Sequence, residues 1–176
     1  ARKYVVPSAP GKRDKKDTKI TDLLYMCQSH VEIGISIEDV FKYVYDRYTG
    51  IVKELGLNFE IEKYLDEVKK NIENGASKDY AASRGEYLNG LILAAYLGYD
   101  FVDAKDVIVF TNDGSLDMEA TKASLSEKLK NVERAVIPGF YGADKDGNIV
   151  TFSRGGSDVT GALVAASINA DLYENW

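Results

Sequence analysis

The sequence predicts an α/β fold, with a mainly parallel sheet carrying helices on both faces. Short β-favouring runs, at Tyr4-Val5-Val6, Val107–Phe110 and around Val136, alternate with long stretches of helical apolar spacing. A second observation is the stretch Phe152-Ser153-Arg154-Gly155-Gly156-Ser157-Asp158-Val159-Thr160, which reads as a strand end, a glycine turn and a helix start. The third is size: 176 residues at 45% hydrophobic composition suffice for one domain with a substantial core and exclude a disordered tail.

In chain order, Lys3 to Val6 reads as a strand stopped by Pro7 and the Ser8-Ala9-Pro10-Gly11 turn. Gly11 to Lys19 is charged and reads as a solvated loop, after which a helix starts at Thr21, a residue suited to capping. Ile37, Phe41, Val44, Tyr45, Tyr48, Val52 and Leu55 form one helical stripe ended by Gly56, and Ile61, Tyr64, Leu65, Val68 and Ile72 form another ended by Asn74-Gly75. These tyrosines are expected in the core and not as a platform for stacking bases. His30 is expected in a loop, and Cys27 as a small buried hydrophobe. Lys78 to Leu97 reads as a long helix ending at Gly98. Gly85 inside it costs about 1 kcal/mol relative to alanine, which marks either a helix break or a close approach by another group.

Val107 to Phe110 reads as a buried strand, Asn112-Asp113-Gly114 as a turn, Thr121 to Leu129 as a helix, and the chain then enters a strand around Val136. In Asp144-Lys145-Asp146-Gly147-Asn148 the glycine comes too early for a calcium loop and no glutamate closes it, so a hairpin turn is expected. The helix after Ser157 carries Gly161, Ala162, Ala165 and Ala166 for close packing on a sheet, and Asp171 to Trp176 reads as the start of a further strand.

Composition narrows function. A single cysteine excludes an internal disulfide framework, and a single histidine leaves no zinc-type ligand cluster, so no metal site is assigned and a reducing, cytoplasmic setting is expected. No apolar run reaches the roughly 18 residues a membrane span needs, and the Ala1-Arg2-Lys3 start is unlike a signal peptide. A net charge of −6 argues against general nucleic-acid binding. Anionic ligands therefore require local positive charge. The Gly155-Gly156 turn provides it: its backbone N–H groups can approach a ligand closely, and the following helix directs the positive end of its dipole there. Arg154 adds a planar fork suited to carboxylate or phosphate, Asp158 adds an acid within a turn of it, and Ser157 or Asp158 is placed to cap the helix.

Val136-Ile137-Pro138-Gly139-Phe140-Tyr141-Gly142 followed by Thr151-Phe152-Ser153-Arg154-Gly155-Gly156-Ser157-Asp158 resembles the aspartate kinases of the amino-acid kinase superfamily. Ser83-Arg84-Gly85-Glu86-Tyr87-Leu88, and Val6-Pro7-Ser8-Ala9-Pro10-Gly11 with Thr21-Asp22-Leu23-Leu24, extend the resemblance in order over nearly the whole chain. It implies a three-layer αβα sandwich of the carbamate kinase-like type, truncated at both ends. Residues 1–176 would correspond to the amino-acid-substrate half of the catalytic domain, without the family's N-terminal Lys-Phe-Gly-Gly-Ser-Ser loop and its C-terminal nucleotide-binding half.

The activity implied by the resemblance is transfer of the ATP γ-phosphoryl group to the β-carboxylate of L-aspartate, with Mg²⁺ accompanying ATP in the complete enzyme. That carboxylate, with a reference pKa of about 3.9, is already ionised at neutral pH, so alignment and charge neutralisation suffice without a general base. Carried over residue by residue, Arg154 binds a substrate carboxylate and Glu86 the ammonium. Ser8 and Thr21 add hydrogen bonds, Gly155, Gly156 and Ser157 form the anion cradle, and Asp158 organises the reacting groups. The resemblance further implies a homo-oligomeric complete enzyme in amino-acid biosynthesis, and a 176-residue piece inactive by itself. Two other readings stand beside it: a related kinase acting on a different carboxylate, and a non-catalytic amino-acid-binding module.

Overall fold

The computed structural model describes residues 3–176. Ala1 and Arg2, part of the start read above for a leader, lie outside the described residues. β1 (Tyr4–Val5), β2 (Asp100–Phe101) and β3 (Ala135–Val136) form a parallel sheet in the order β1-β3-β2, with Tyr4 and Asp100 both in register with Ala135. Central β3 is fully buried, as expected of a parallel strand covered on both faces. β4 (Tyr141–Ala143) and β5 (Ile149–Thr151) form an antiparallel hairpin. Its turn closes as expected: the Asp144 carboxylate accepts from the Asp146 and Asn148 N–H groups, each at 2.9 Å, and Gly147 takes φ 84°.

The helices divide into two groups. α1 (Ile20–Glu32), α2 (Glu38–Glu54) and α3 (Glu62–Glu73) pack with α4 (Lys78–Leu97) around a core that includes Leu24, Phe41, Tyr48, Leu65, Ile72 and Leu88. α5 (Met118–Leu129) and α6 (Gly156–Ser167) pack together and build a second core, with the sheet, from Ile108, Leu125, Ile137, Tyr141, Leu163 and Val164. α4 lies between them. It is buried almost without interruption from Ala81 to Glu86, so it carries no single apolar stripe. Its ends follow ordinary rules, with Ser77 Oγ accepting from the Tyr80 N–H at 3.1 Å and Gly98 in the left-handed region at φ 66°. No helix among the described residues is long and apolar enough to cross a membrane.

Several expectations are corrected. α1 begins at Ile20 with Lys19 as N-cap, so Thr21 is its second residue and caps nothing. His30 lies in the last turn of α1, not in a loop. Val107–Phe110 is buried but forms only isolated bridges, because a short 3₁₀ turn at Ala104–Asp106 delivers it to the edge of β4. There the Ala143 N–H donates to Ile108 O at 3.0 Å and the Phe110 N–H to Ala143 O at 2.8 Å. Asp171 to Trp176 forms no strand. It runs over the start of α6, where the Tyr173 hydroxyl donates to Asp158 O at 3.3 Å. Cys27 is buried as expected, and burial pushes its thiol up to about 12.

The edge against β4 depends on Gly142, where an added Cβ would lie 2.3 Å from Ile108 O. Gly142→Ala is therefore expected to cost about 1–3 kcal/mol of stability, read as a drop of about 2–4 °C per kcal/mol in thermal unfolding. Gly50→Ala, in open space within α2, should instead raise stability by up to about 1 kcal/mol. Equal effects at the two positions would contradict this packing.

Candidate functional site

Ligands of parallel α/β sheets bind beyond the carboxyl ends of the strands. The segments leaving β1 and β3 there, Pro7 to Pro10 and Pro138 to Phe140, are joined by the Gly139 N–H donating to Pro7 O at 3.0 Å. α4 passes close beside both. A Cβ at Gly85 would lie 3.0 Å from Ala9 Cβ, and one at Gly90 would lie 2.8 Å from Pro138 Cγ. Of the two readings of Gly85, the close approach holds, since α4 is unbroken.

That approach determines the environment of Glu86. The side chain is buried, with 6% of the residue exposed, and Oε1 accepts from the Ala9 N–H at 3.2 Å. Oε2 is buried and has no hydrogen-bond partner among the described residues. Burial raises the carboxyl to about 7, against the opposing pull of the Ala9 N–H and the Arg84 charge. A carboxylate on the edge of protonation with one unmatched oxygen suits a ligand that brings a positive charge and N–H donors. Asn89 Nδ2, one turn further along α4, donates to Ser8 O at 2.7 Å and fixes the same loop, leaving Ser8 exposed.

The glycine turn closes onto the loop after β3. Gly155 takes φ 58° and serves as the N-cap of α6, so neither Ser157 nor Asp158 caps the helix as expected. The chain has to turn through the left-handed region there, which glycine alone enters without cost. Gly156 is pressed against Phe140, where an added Cβ would lie 2.7 Å from the Phe140 Cα. Phe140, itself at φ 81°, donates its N–H to Thr160 Oγ1 at 3.3 Å and accepts from the Phe152 N–H at 2.9 Å. Ser157 packs directly on Gly139, where a Cβ would meet its Cα at 2.6 Å. With no side-chain cap, the first-turn N–H groups of α6 remain available to an anion.

The expected site residues are brought together unevenly. Ser8, Glu86, Gly156 and Ser157 belong to one packed unit through Ala9, Pro7, Gly139 and Phe140. Thr21 is half-buried, and its neighbour Ile20 packs on Gly85. Arg154 is exposed beside Gly155 and makes no hydrogen bond or ion pair with another described residue, so nothing joins it to Glu86. Asp158 is exposed on α6, and its Oδ1 accepts from Asn175 Nδ2 at 3.3 Å.

Two buried arginines escaped the sequence reading. Arg84 lies 4.6, 4.4 and 5.1 Å from the rings of Tyr80, Tyr87 and Tyr141, and its Nε and Nη2 donate to Ser83 Oγ at 3.0 and 2.9 Å. Three aromatic faces take the place of a carboxylate partner. The other, Arg47, lies within the apolar stripe of α2. Tyrosines at spacings of four before and three after Arg84 were the available signal for the first. Arg47 carried none.

A profile of the amino acid kinase family matches residues 19–176. Aspartokinase 3 of Bacillus subtilis (strain 168) is 37% identical over 190 aligned residues, covering 100% of this chain and 42% of the relative. The crystal structure of Clostridium acetobutylicum aspartate kinase is 59% identical with a TM-score of 0.97, over 99% of this chain and 40% of that one. Escherichia coli aspartokinase III in complex with aspartate and ADP shares the fold, at 23% identity and a TM-score of 0.75, over 96% of this chain and 40% of that one. The chain thus spans about two fifths of the length of these relatives. With its parallel sheet, its glycine cradle at the start of α6 and this match over most of its length, the chain belongs to the amino acid kinase family.

Proposed function

We propose that this chain forms the amino-acid-binding part of an aspartate kinase, which phosphorylates the β-carboxylate of L-aspartate with ATP in the cytoplasm. The observation that carries this reading is Glu86, buried beside the Ser8 loop with Oε2 unpartnered. An α-ammonium group meets that need: it supplies the missing donors and a charge that keeps the carboxylate ionised. The two carboxylates of aspartate call for cations and N–H donors, which Arg154 and the first turn of α6 provide. Ser8 and Thr21 add hydrogen bonds at the walls. Asp158, three residues into α6, orients the reacting groups, and the Gly155-Gly156 backbone steadies charge on the acceptor oxygen.

ATP supplies the phosphoryl group as the second substrate. Mg²⁺ would accompany ATP on its phosphates, and no step is routed through a metal of this chain. Escherichia coli aspartokinase III, solved in complex with aspartate and ADP and also with lysine and aspartate, supports this choice of ligand. A homo-oligomeric complete enzyme belongs to the same proposal.

Calorimetric titration tests it. L-Aspartate is expected to bind more tightly than L-glutamate, and Glu86→Gln and Arg154→Ala should each weaken binding at least tenfold, or about 1.4 kcal/mol. Unchanged affinity in both folded variants would overturn the assignment.

Glu86 also sets a pH dependence. Its folded-state value of about 7 lies above the ordinary 4.5, so between those values the folded chain holds a proton that the unfolded chain has lost. This contribution is therefore present at low pH and is lost as pH rises through 7. The difference amounts to about 3 kcal/mol. Urea unfolding should show the stability of Glu86→Gln rising relative to wild type between pH 5 and 8. A pH-independent difference would contradict the buried carboxylate.

A further inference from the structure

α2 contributes none of the expected site residues, yet two consecutive side chains of it reach both walls of the site. The Tyr48 hydroxyl donates to Gly85 O at 2.7 Å, directly beside Glu86. Arg47, with 5% of the residue exposed, donates from Nη1 to Gly11 O at 2.8 Å and from Nη2 to the Asp17 carboxylate. Asp17 collects further donors: the Arg13 N–H at 2.9 Å, Arg13 Nε at 3.1 Å and the Thr18 N–H at 3.1 Å. Its side chain is only 10% exposed, although it belongs to a segment whose charge pattern reads as a solvated loop.

The location of these bonds gives them consequence. Gly11 lies three residues after Ser8, and Asp17 four residues before Thr21. Arg47 therefore holds both ends of the segment joining two walls of the site. An apolar helix residue could fill the same volume but could not donate to a carbonyl and a carboxylate together. Arg47 is also an expensive choice for stability alone, since its Nε is buried with no hydrogen-bond partner among the described residues.

We propose that Arg47 is a positioning residue for the amino-acid site: by clamping Gly11 and Asp17 it fixes the Ser8 and Thr21 walls relative to Glu86. This rests on the function proposed above. The clamp itself is testable without any ligand, because the segment contains Lys12, Arg13, Lys15, Lys16 and Lys19, all potential trypsin sites.

The experiment uses the full chain as wild type, Arg47→Met, Arg47→Lys and Asp17→Asn, each confirmed folded by circular dichroism. Asp17→Asn weakens the pairs with Arg47 and Arg13 from the loop side and leaves the helical core intact, so Arg47→Met, which keeps the Arg13 pair, isolates the clamp. Limited trypsinolysis, with cleavage sites mapped by mass spectrometry, should show cutting within 12–19 accelerated at least tenfold in Arg47→Met and Asp17→Asn. Arg47→Lys, which keeps the ion pair but not the bridge to Gly11, should fall between. L-Aspartate affinity should weaken in the same order, by about tenfold in Arg47→Met. Unchanged cleavage overturns the clamp. Faster cleavage with unchanged aspartate affinity overturns the positioning role alone. Failure of folded wild type to bind aspartate overturns the proposed function and the positioning role with it, while the cleavage rates still report on the clamp.

Discussion

The close approach of the Pro7–Pro10 loop to α4 at Gly85 is the constraint on which the site depends. A side chain there would hold Ala9 away, and the Ala9 N–H could no longer reach Glu86. Gly90 does the same for Pro138, the segment after β3. One helix thus receives the two loops that leave β1 and β3, over a stretch where it is itself buried. The glycines weaken α4 as an isolated helix by about 1 kcal/mol each, and packing on both sides offsets that cost.

The electrostatics of the site follow from this packing. Glu86 is removed from water while Arg154 remains in it, so the two groups assigned to opposite ends of an amino acid behave differently before a ligand arrives. The buried carboxyl sits near its titration midpoint at neutral pH, raised by burial. The Arg154 guanidinium is exposed and makes no hydrogen bond or ion pair with another described residue. The first turn of α6 is held against Phe140 and Gly139, which suits N–H donors fixed in place for the anionic ligand proposed above.

Much of this was legible in the sequence where periodicity or turn chemistry was strong. The span of α4, the stripes of α2 and α3 and the Asp144–Asn148 turn follow from apolar spacing, capping residues and glycine placement. The resemblance pointed to Glu86, Gly156 and Ser157 as candidates, and these three lie in one packed unit. The illegible parts depend on tertiary partners. Val107–Phe110 has a strand's composition but forms only isolated bridges, to Ala143 of β4 and to Leu116, and Asp171–Trp176 meets no strand among the described residues. Ser157 is a good cap by type, yet Gly155 takes the position because the turn there runs through the left-handed region. Arg47 was invisible because an arginine within a helical stripe reads as a solvated side chain. Its partners lie 36 and 30 residues away in sequence.

The most direct test of the account is the protonation of Glu86, followed by carbon-detected NMR of its carboxyl in the free and aspartate-saturated chain. In the free chain the carboxyl should titrate near 7, as burial requires. With aspartate bound, its midpoint should fall by at least one pH unit, because an ammonium at Oε2 favours the ionised form. A free carboxyl titrating at an ordinary glutamate value and unmoved by aspartate would contradict both the buried acid and the ligand assigned to it.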